Sequence, residues 1–277
     1  MKNASEKMYL SSSSDSKNKN VFLNDLLQGF NLAPAVRYLV LTDLKARYKR
    51  SFIGPFWHVI SLGLGSVGIG LLWSFLWGSP VVEMLPSVSF GFLIWIFISS
   101  SLIEGSKSFI ENASTLQNLK LPCCFFPFVS FFRTFANFIH SIPIIILVTF
   151  GCSIELSAVH LLFFPGLLIA TLNLYFIVYL LAFLTARYRD LEPLVASAIP
   201  LLFFLSPVLF KIRQVGDLEW VFLLNPLTYL ITIVRDPLLG VVPDWYMYLG
   251  AVVLLVLSVS ILSIIVNAKG SRLIFWL

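Results

Sequence analysis

Residues 158–185 read AVHLLFFPGLLIATLNLYFIVYLLAFLT and contain no Asp, Glu, Lys or Arg. A helix rises about 1.5 Å per residue and the bilayer hydrocarbon is about 30 Å thick, so about 20 apolar residues suffice to cross it. Working outward from this stretch, five more apolar segments of similar length lie near 55–77, 89–110, 124–150, 191–210 and 244–266. Charged or Gly/Pro/Ser-containing linkers separate them: Gly78-Ser79-Pro80, Glu111 to Pro122, Gly151 to Ser157, and Arg187 to Asp190. The pattern predicts an all-α polytopic membrane protein with six transmembrane helices over residues 55–270.

Composition agrees. Of 277 residues, 58% are hydrophobic and only 12% charged, against about 25% charged in ordinary soluble domains. No second large soluble domain fits the remaining length. The net charge is +5, but the positive groups sit between apolar runs. They read as topology signals and anionic-lipid contacts, not as a nucleic-acid surface. Cys123, Cys124 and Cys152 form no C-x-x-C pair, so they read as free apolar cysteines and no metal site is expected.

Charge placement predicts orientation. Nine Lys/Arg precede the first span, and Lys107, Lys120, Arg187, Arg189, Lys269 and Arg272 fall on the same side if six helices cross. The loops at 78–88 and 151–158 carry neither Lys nor Arg. The positive-inside rule then puts both termini on the cytoplasmic face of the expected inner membrane. The last outer region, with Lys211, Arg213 and Arg235, runs against this trend.

Four segments break the simple pattern. Residues 1–30 begin polar, with a Ser11–Ser14 run, and predict a disordered cytoplasmic tail; residues 271–277 predict a second cytoplasmic tail. Residues 31–54 predict an amphipathic interfacial helix. Pro34 opens it, and Val36, Leu39, Val40, Leu44 and Tyr48 recur at helical spacing. Arg37, Asp43, Lys45, Arg47, Lys49 and Arg50 occupy the other surface, so the helix is expected to lie flat on the cytoplasmic leaflet. In 211–243, Asn225-Pro226 divides two apolar pieces, each too short to cross. Two short re-entrant helices within 218–240, placed before the last span, fit this segment; broken backbone at that depth needs protein or a water-lined cavity around it. The rival reading is one span over 218–234, which forces the basic tail to the opposite side.

Candidate chemistry is sparse. There is no G-x-x-x-x-G-K-[ST] stretch, and the glycines at 63, 65, 68 and 70 lie inside a span with no following Lys. No catalytic residue is assigned. Glu104 and Arg133, near the same ends of neighbouring spans, are placed to pair. Tyr175, Tyr179 and Phe183 repeat every four residues along one helix face, and Trp73 and Trp77 do the same on the first span. Aromatic faces stack on sugar rings and tyrosine hydroxyls bond sugar hydroxyls, so Trp73, Tyr175, Tyr179 and Phe183 are candidates to line a polysaccharide channel. Helix packing and interfacial anchoring compete with that reading.

The run Asp43-Leu44-Lys45-Ala46-Arg47-Tyr48-Lys49-Arg50-Ser51-Phe52-Ile53-Gly54-Pro55-Phe56-Trp57 resembles the signature of ABC-2 type permeases that export cell-surface polysaccharides. Leu121-Pro122 through Arg133 and His140, the Ala186-Arg187-Tyr188-Arg189-Asp190-Leu191 turn, Ser206-Pro207-Val208, Asn225-Pro226 and Arg235-Asp236-Pro237-Leu238-Leu239-Gly240 are similar to later parts of the same pattern, in order. The resemblance implies a homodimer working with two copies of a separate ATPase subunit, which binds ATP and Mg; no cofactor is implied for this chain. It further implies an amphipathic gate helix, two re-entrant helices and a wide channel for a lipid-linked polysaccharide such as O-antigen, capsule or teichoic acid.

Within that frame the 111–121 connection is the expected ATPase-coupling element, with Leu116 and Leu119 on an apolar ridge beside Glu111 and Asn112. Arg187, Arg189 and Asp190 form a second cytoplasmic turn, able to touch the ATPase or to tie down the gate helix through Asp43 and Arg47. Lys45, Arg47, Lys49 and Arg50 are expected to meet the phosphates of a lipid carrier. Asn225, Pro226 and Arg235 mark the re-entrant segment. A drug or small-lipid cargo is the alternative within the same class. A membrane-embedded polyprenyl-phosphate enzyme is the alternative outside it, with no clustered acid pair in the outer loops to support it.

Overall fold

A computed structural model describes residues 20–49, 56–212, 216 and 219–277. Arg50, the Gly54-Pro55 turn and the first 19 residues of the expected tail lie outside them. Among the described residues every regular element is helical.

The chain begins with α1 (Val21–Asn31) and α2 (Ala33–Tyr48), then α3 (Phe56–Trp77) and α4 (Val81–Glu111). Next come the short α5 (Ala113–Asn118), α6 (Phe125–Ile139) and α7 (Ile142–Gly151). A 3-10 turn at Ala158–Leu162 leads into α8 (Phe163–Arg187), followed by α9 (Leu191–Phe204), α10 (Glu219–Leu223), α11 (Pro226–Leu238), α12 (Trp245–Lys269) and α13 (Leu273–Trp276).

Five of these stretches are long and apolar enough to cross a membrane: Val59–Trp77, Val81–Glu111, Phe125–Gly151, Ala158–Arg187 and Trp245–Trp276. The sixth expected span, 191–210, differs. Its helix α9 stops after 14 residues and a run of turns follows. Pro207 cannot donate a helical hydrogen bond and restricts Ser206 before it, so the helix ends just short of that pair.

Helix α4 sits at the centre, with 31 residues and a length of about 46 Å, well beyond the hydrocarbon thickness. It packs against α3, α6, α8, α9 and α11. Ser99, Ser100 and Ser106 donate to carbonyls one turn back in the same helix, and Ser101 Oγ lies 2.8 Å from Thr134 Oγ1 on α6. Lys107 meets Glu192 at 3.5 Å, joining α4 to the start of α9. The third expected span is interrupted at His140–Ser141, where His140 Nδ1 lies 2.6 Å from the Ala136 carbonyl.

Two expectations for the chain ends are corrected. The second part of the expected 1–30 tail is the helix α1. Phe22 and Asp25 are buried, and the Phe22 N–H donates to Asn267 Oδ1 at 2.9 Å. The 271–277 segment is not a free tail either: Leu273 is buried and α13 packs against α5 and α8. In both cases apolar side chains hidden from polar surroundings hold the segment down.

Candidate coupling and lipid-facing sites

The end that carries most Lys and Arg is built around Asp25. Its carboxylate accepts the backbone N–H of Cys123 at 2.5 Å and of Cys124 at 3.0 Å, and the Tyr179 hydroxyl at 2.8 Å. The first turn of a helix leaves N–H groups without intrahelical partners. Here a carboxylate 98 residues away in sequence caps the start of α6 and complements its dipole. Burial, and then the Asp25 carboxylate, push the Cys123 thiol up to about 12. The Cys124 thiol, raised by the same two causes, donates to the Asp25 carbonyl at 3.2 Å. Both thiols are therefore protonated and inert at neutral pH.

Asp25→Asn is expected to cost about 1–3 kcal/mol, because one charged acceptor serving three donors is lost. Thermal unfolding of the detergent-solubilised chain measures it. Cys123 and Cys124 should become reactive to maleimide together with the loss of stability.

The aromatic stripe of α8 lies in this same interior. Tyr175, Tyr179 and Phe183 are at most 7% exposed. Tyr175 contacts Phe128 and Phe131 of α6, and Phe183 and Tyr179 contact Phe109 of α4. Their expected role in a channel wall is corrected: they form part of the core of the chain's own helix bundle, because the stripe faces α4 and α6 where aromatic edges and faces interlock. Trp73 is half-buried and packs at the edge of the core.

Helix α2 carries the expected apolar stripe, and α6 is its partner. Val36 and Val40 are buried, with Leu39 and Leu44 packed behind them. Arg133 of α6 donates to Asp43 at 2.6 Å and lies 4.0 Å from Glu104 of α4. The Glu104–Arg133 pairing read from the sequence is thus present, and Asp43 completes a chain from α2 through α6 to α4. Lys45, Arg47 and Lys49 stay exposed. Arg47 also lines a small enclosed cavity of about 120 Å³ with Ser100, Glu104 and Asn137.

Asp43 therefore answers to Arg133 and not to the 187–190 turn. Exchanging the two charges, Asp43→Arg with Arg133→Asp, should restore the protease resistance of α2 that either single change removes. Limited proteolysis of the four variants checks this.

The 111–121 connection divides its ridge. Leu116 of α5 is only 4% exposed, whereas Leu119 is 55% exposed. Leu116 as a docking residue is corrected: it holds α5 onto the bundle, and Leu119, with Glu111, Gln117, Asn118 and Lys120, is what the surface presents. Asn112 donates to the Ser108 carbonyl at 2.8 Å and closes the end of α4. At the second turn, Arg187, Arg189 and Asp190 are all exposed. The Arg187 guanidinium sits 5.6 Å from the Trp276 ring centre, and that ring also meets Phe183 edge-on. Trp276 joins the turn to α13, and α13 to α5. Asp25 and Trp276 went unread in the sequence. The available signals were an Asp inside the apolar run Val21–Phe30 and a Trp in a basic tail.

At the opposite side of the fold, Asn225 and Arg235 organise the broken segment. Asn225 caps α11 by accepting the Leu227 N–H at 3.0 Å, and its amide donates to the Leu205 carbonyl at 3.1 Å and to Ser206 Oγ at 2.8 Å. Pro226 occupies the first helical position, where a missing N–H costs nothing. Arg235 is 1% exposed. Its guanidinium donates to the carbonyls of Pro207 and Phe210, the latter at 3.0 Å, and pairs with Asp236 at 3.0 Å. The carbonyls of the turns after α9 are thus taken up by side chains from α11 and the turn before it. Close backbone approach seals the packing. A Cβ at Gly91 would stand 2.5 Å from the Val208 oxygen, and one at Gly166 would collide with the Ile233 carbonyl.

These features define a multi-pass membrane protein: a bundle of long apolar helices, a basic helix packed on its flank and a surface-presented short helix between spans. The chain belongs to the ABC-2 type transporter family, whose profile matches residues 34–239. It is similar to the O-antigen export system permease protein RfbA of Myxococcus xanthus, 26% identical over 198 residues, which cover 70% of this chain and 76% of the relative. It is also similar to the protein of that name from Klebsiella pneumoniae, 25% identical over 241 residues, or 79% of this chain and 87% of the relative.

Proposed function

We propose that this chain is the membrane-spanning subunit of an ATP-driven exporter that moves a lipid-linked cell-surface polysaccharide across the bacterial inner membrane. The likeness to O-antigen export permeases over 70–79% of the chain carries the reading. No nucleotide-binding loop occurs in the sequence, so ATP and Mg are assigned to a partner ATPase, two copies of which serve a homodimer of this chain. The exposed helices α3 and α9 offer apolar surface to the second copy and to lipid.

The basic end is assigned to the cytoplasm, with both termini there. That assignment asks for six crossings. Helix α9 and the turns after it make the fifth crossing in this reading, and α10 and α11 form a re-entrant pair. Irregular backbone at that depth is acceptable where Asn225 and Arg235 satisfy the carbonyls of the turns after α9, around the buried Ser206, Val208 and Leu209. Lys45, Arg47, Lys49 and Arg50 are assigned to the phosphates of the lipid carrier, and Leu119 with the 187–190 turn to the ATPase.

Deleting the gene should leave lipid-linked polysaccharide accumulating on the inner face of the membrane, with surface polysaccharide restored by the intact chain. Unchanged surface polysaccharide in the deletion strain would refute the reading.

A further inference from the structure

We propose that the groove between α2 and α6 seats a net-anionic membrane lipid, with one hydrocarbon chain in the groove and the headgroup on Arg37. The proposal goes beyond the transport reading and stands without it. The groove encloses about 470 Å³, within the usual span of small-molecule sites, about 300–1,000 Å³. Val36, Val40, Phe128, Phe132, Phe135 and Ile139 wall it, and Arg37 is the one charged residue among its lining side chains. Arg37 also faces the next depression, with Pro34 and Tyr38, and so stands at the mouth. One turn beyond the shared Leu41, Lys45 and Lys49 line a third depression with His140.

Among the described residues no carboxylate pairs with Arg37, Lys45 or Lys49, while Asp43, the acidic group of α2, is held by Arg133 at 2.6 Å. One uncompensated cation, Arg37, therefore borders the apolar trough, with Lys45 and Lys49 further along α2. An apolar peptide would fill the trough and leave the cations unanswered. Soluble phosphate would answer the cations and leave the trough wet, at about 25 cal/mol for each Å² of apolar surface. A molecule with a hydrocarbon chain and an anionic head uses both features, and the arginine fork suits a phosphate oxygen pair.

The test places the full chain in nanodiscs and counts retained lipids by native mass spectrometry. Phosphatidylglycerol, phosphatidylcholine and inorganic phosphate are compared in wild type, Arg37→Ala and Ala136→Trp. Arg37 is exposed, so its substitution leaves packing intact, and Ala136 lines the groove that tryptophan would fill. Wild type should retain phosphatidylglycerol about fivefold more tightly than phosphatidylcholine. Arg37→Ala should erase that preference, Ala136→Trp should release both lipids, and inorganic phosphate should displace neither. Equal retention of the two lipids by wild type, an unchanged preference in Arg37→Ala, or displacement by inorganic phosphate would each overturn the proposal.

Discussion

Arg235→Leu is expected to destabilise the membrane domain by about 3–5 kcal/mol, the usual cost of removing one partner from a buried charged network. Arg235 is 1% exposed and serves the carbonyls of Pro207 and Phe210 and the Asp236 carboxylate together. With leucine, two carbonyls lose their donor where little water can reach, and Asp236 loses its counter-charge. The turns at 205–210 should then separate from α11. Arg235→Lys should recover little, because an ammonium on a flexible stem cannot fork to both carbonyls and a carboxylate at once. Thermal unfolding of the purified chain in detergent measures the loss. A leucine variant as stable as wild type would show that the segment is held by packing alone.

Leu119→Asp is expected to weaken co-purification of the partner ATPase at least tenfold, with the membrane domain as stable as before. A central apolar anchor at an interface is typically worth about 2 kcal/mol or more, and Leu119 is half-exposed beside the exposed Gln117, Asn118 and Lys120. Leu116→Asp gives the contrasting result. A charge placed in a 4% exposed core position should lower the unfolding temperature first and partner binding only as a consequence. Pull-down with affinity-tagged ATPase, run beside a melting curve for each variant, separates the two. Undiminished pull-down of Leu119→Asp would remove the 111–121 connection from the docking surface.

Most of the fold was legible from length and apolarity. Runs such as 158–185 and 244–266 have no soluble alternative, and each appears as a long helix. The stripe of α2 was legible because Val36 and Val40 recur at helical spacing, but its partner was not, since periodicity names a face and not what covers it. The same limit explains the error at Tyr175, Tyr179 and Phe183. A stripe that suits a sugar equally suits Phe109, Phe128 and Phe131 of neighbouring helices. Leu116 and Leu119 looked alike in sequence because they are three apart on a six-residue helix and its end, and the sequence does not show that α13, arriving from the far end of the chain, lies against that helix.

By itself the sequence determined that this chain lives in hydrocarbon, roughly where its long apolar helices lie, and the resemblance its motifs carry. These are local properties: transfer free energy accumulates residue by residue, and proline, glycine and charge act on their own neighbourhood. Glu104 with Arg133 aside, tertiary structure decided which polar groups meet. Asp25 caps a helix 98 residues away, Arg133 chooses Asp43, and Arg235 takes the carbonyls of Pro207 and Phe210 in the turns after α9. A buried hydrogen bond depends on position to within a fraction of an ångström, and only the packing of the whole bundle supplies that precision.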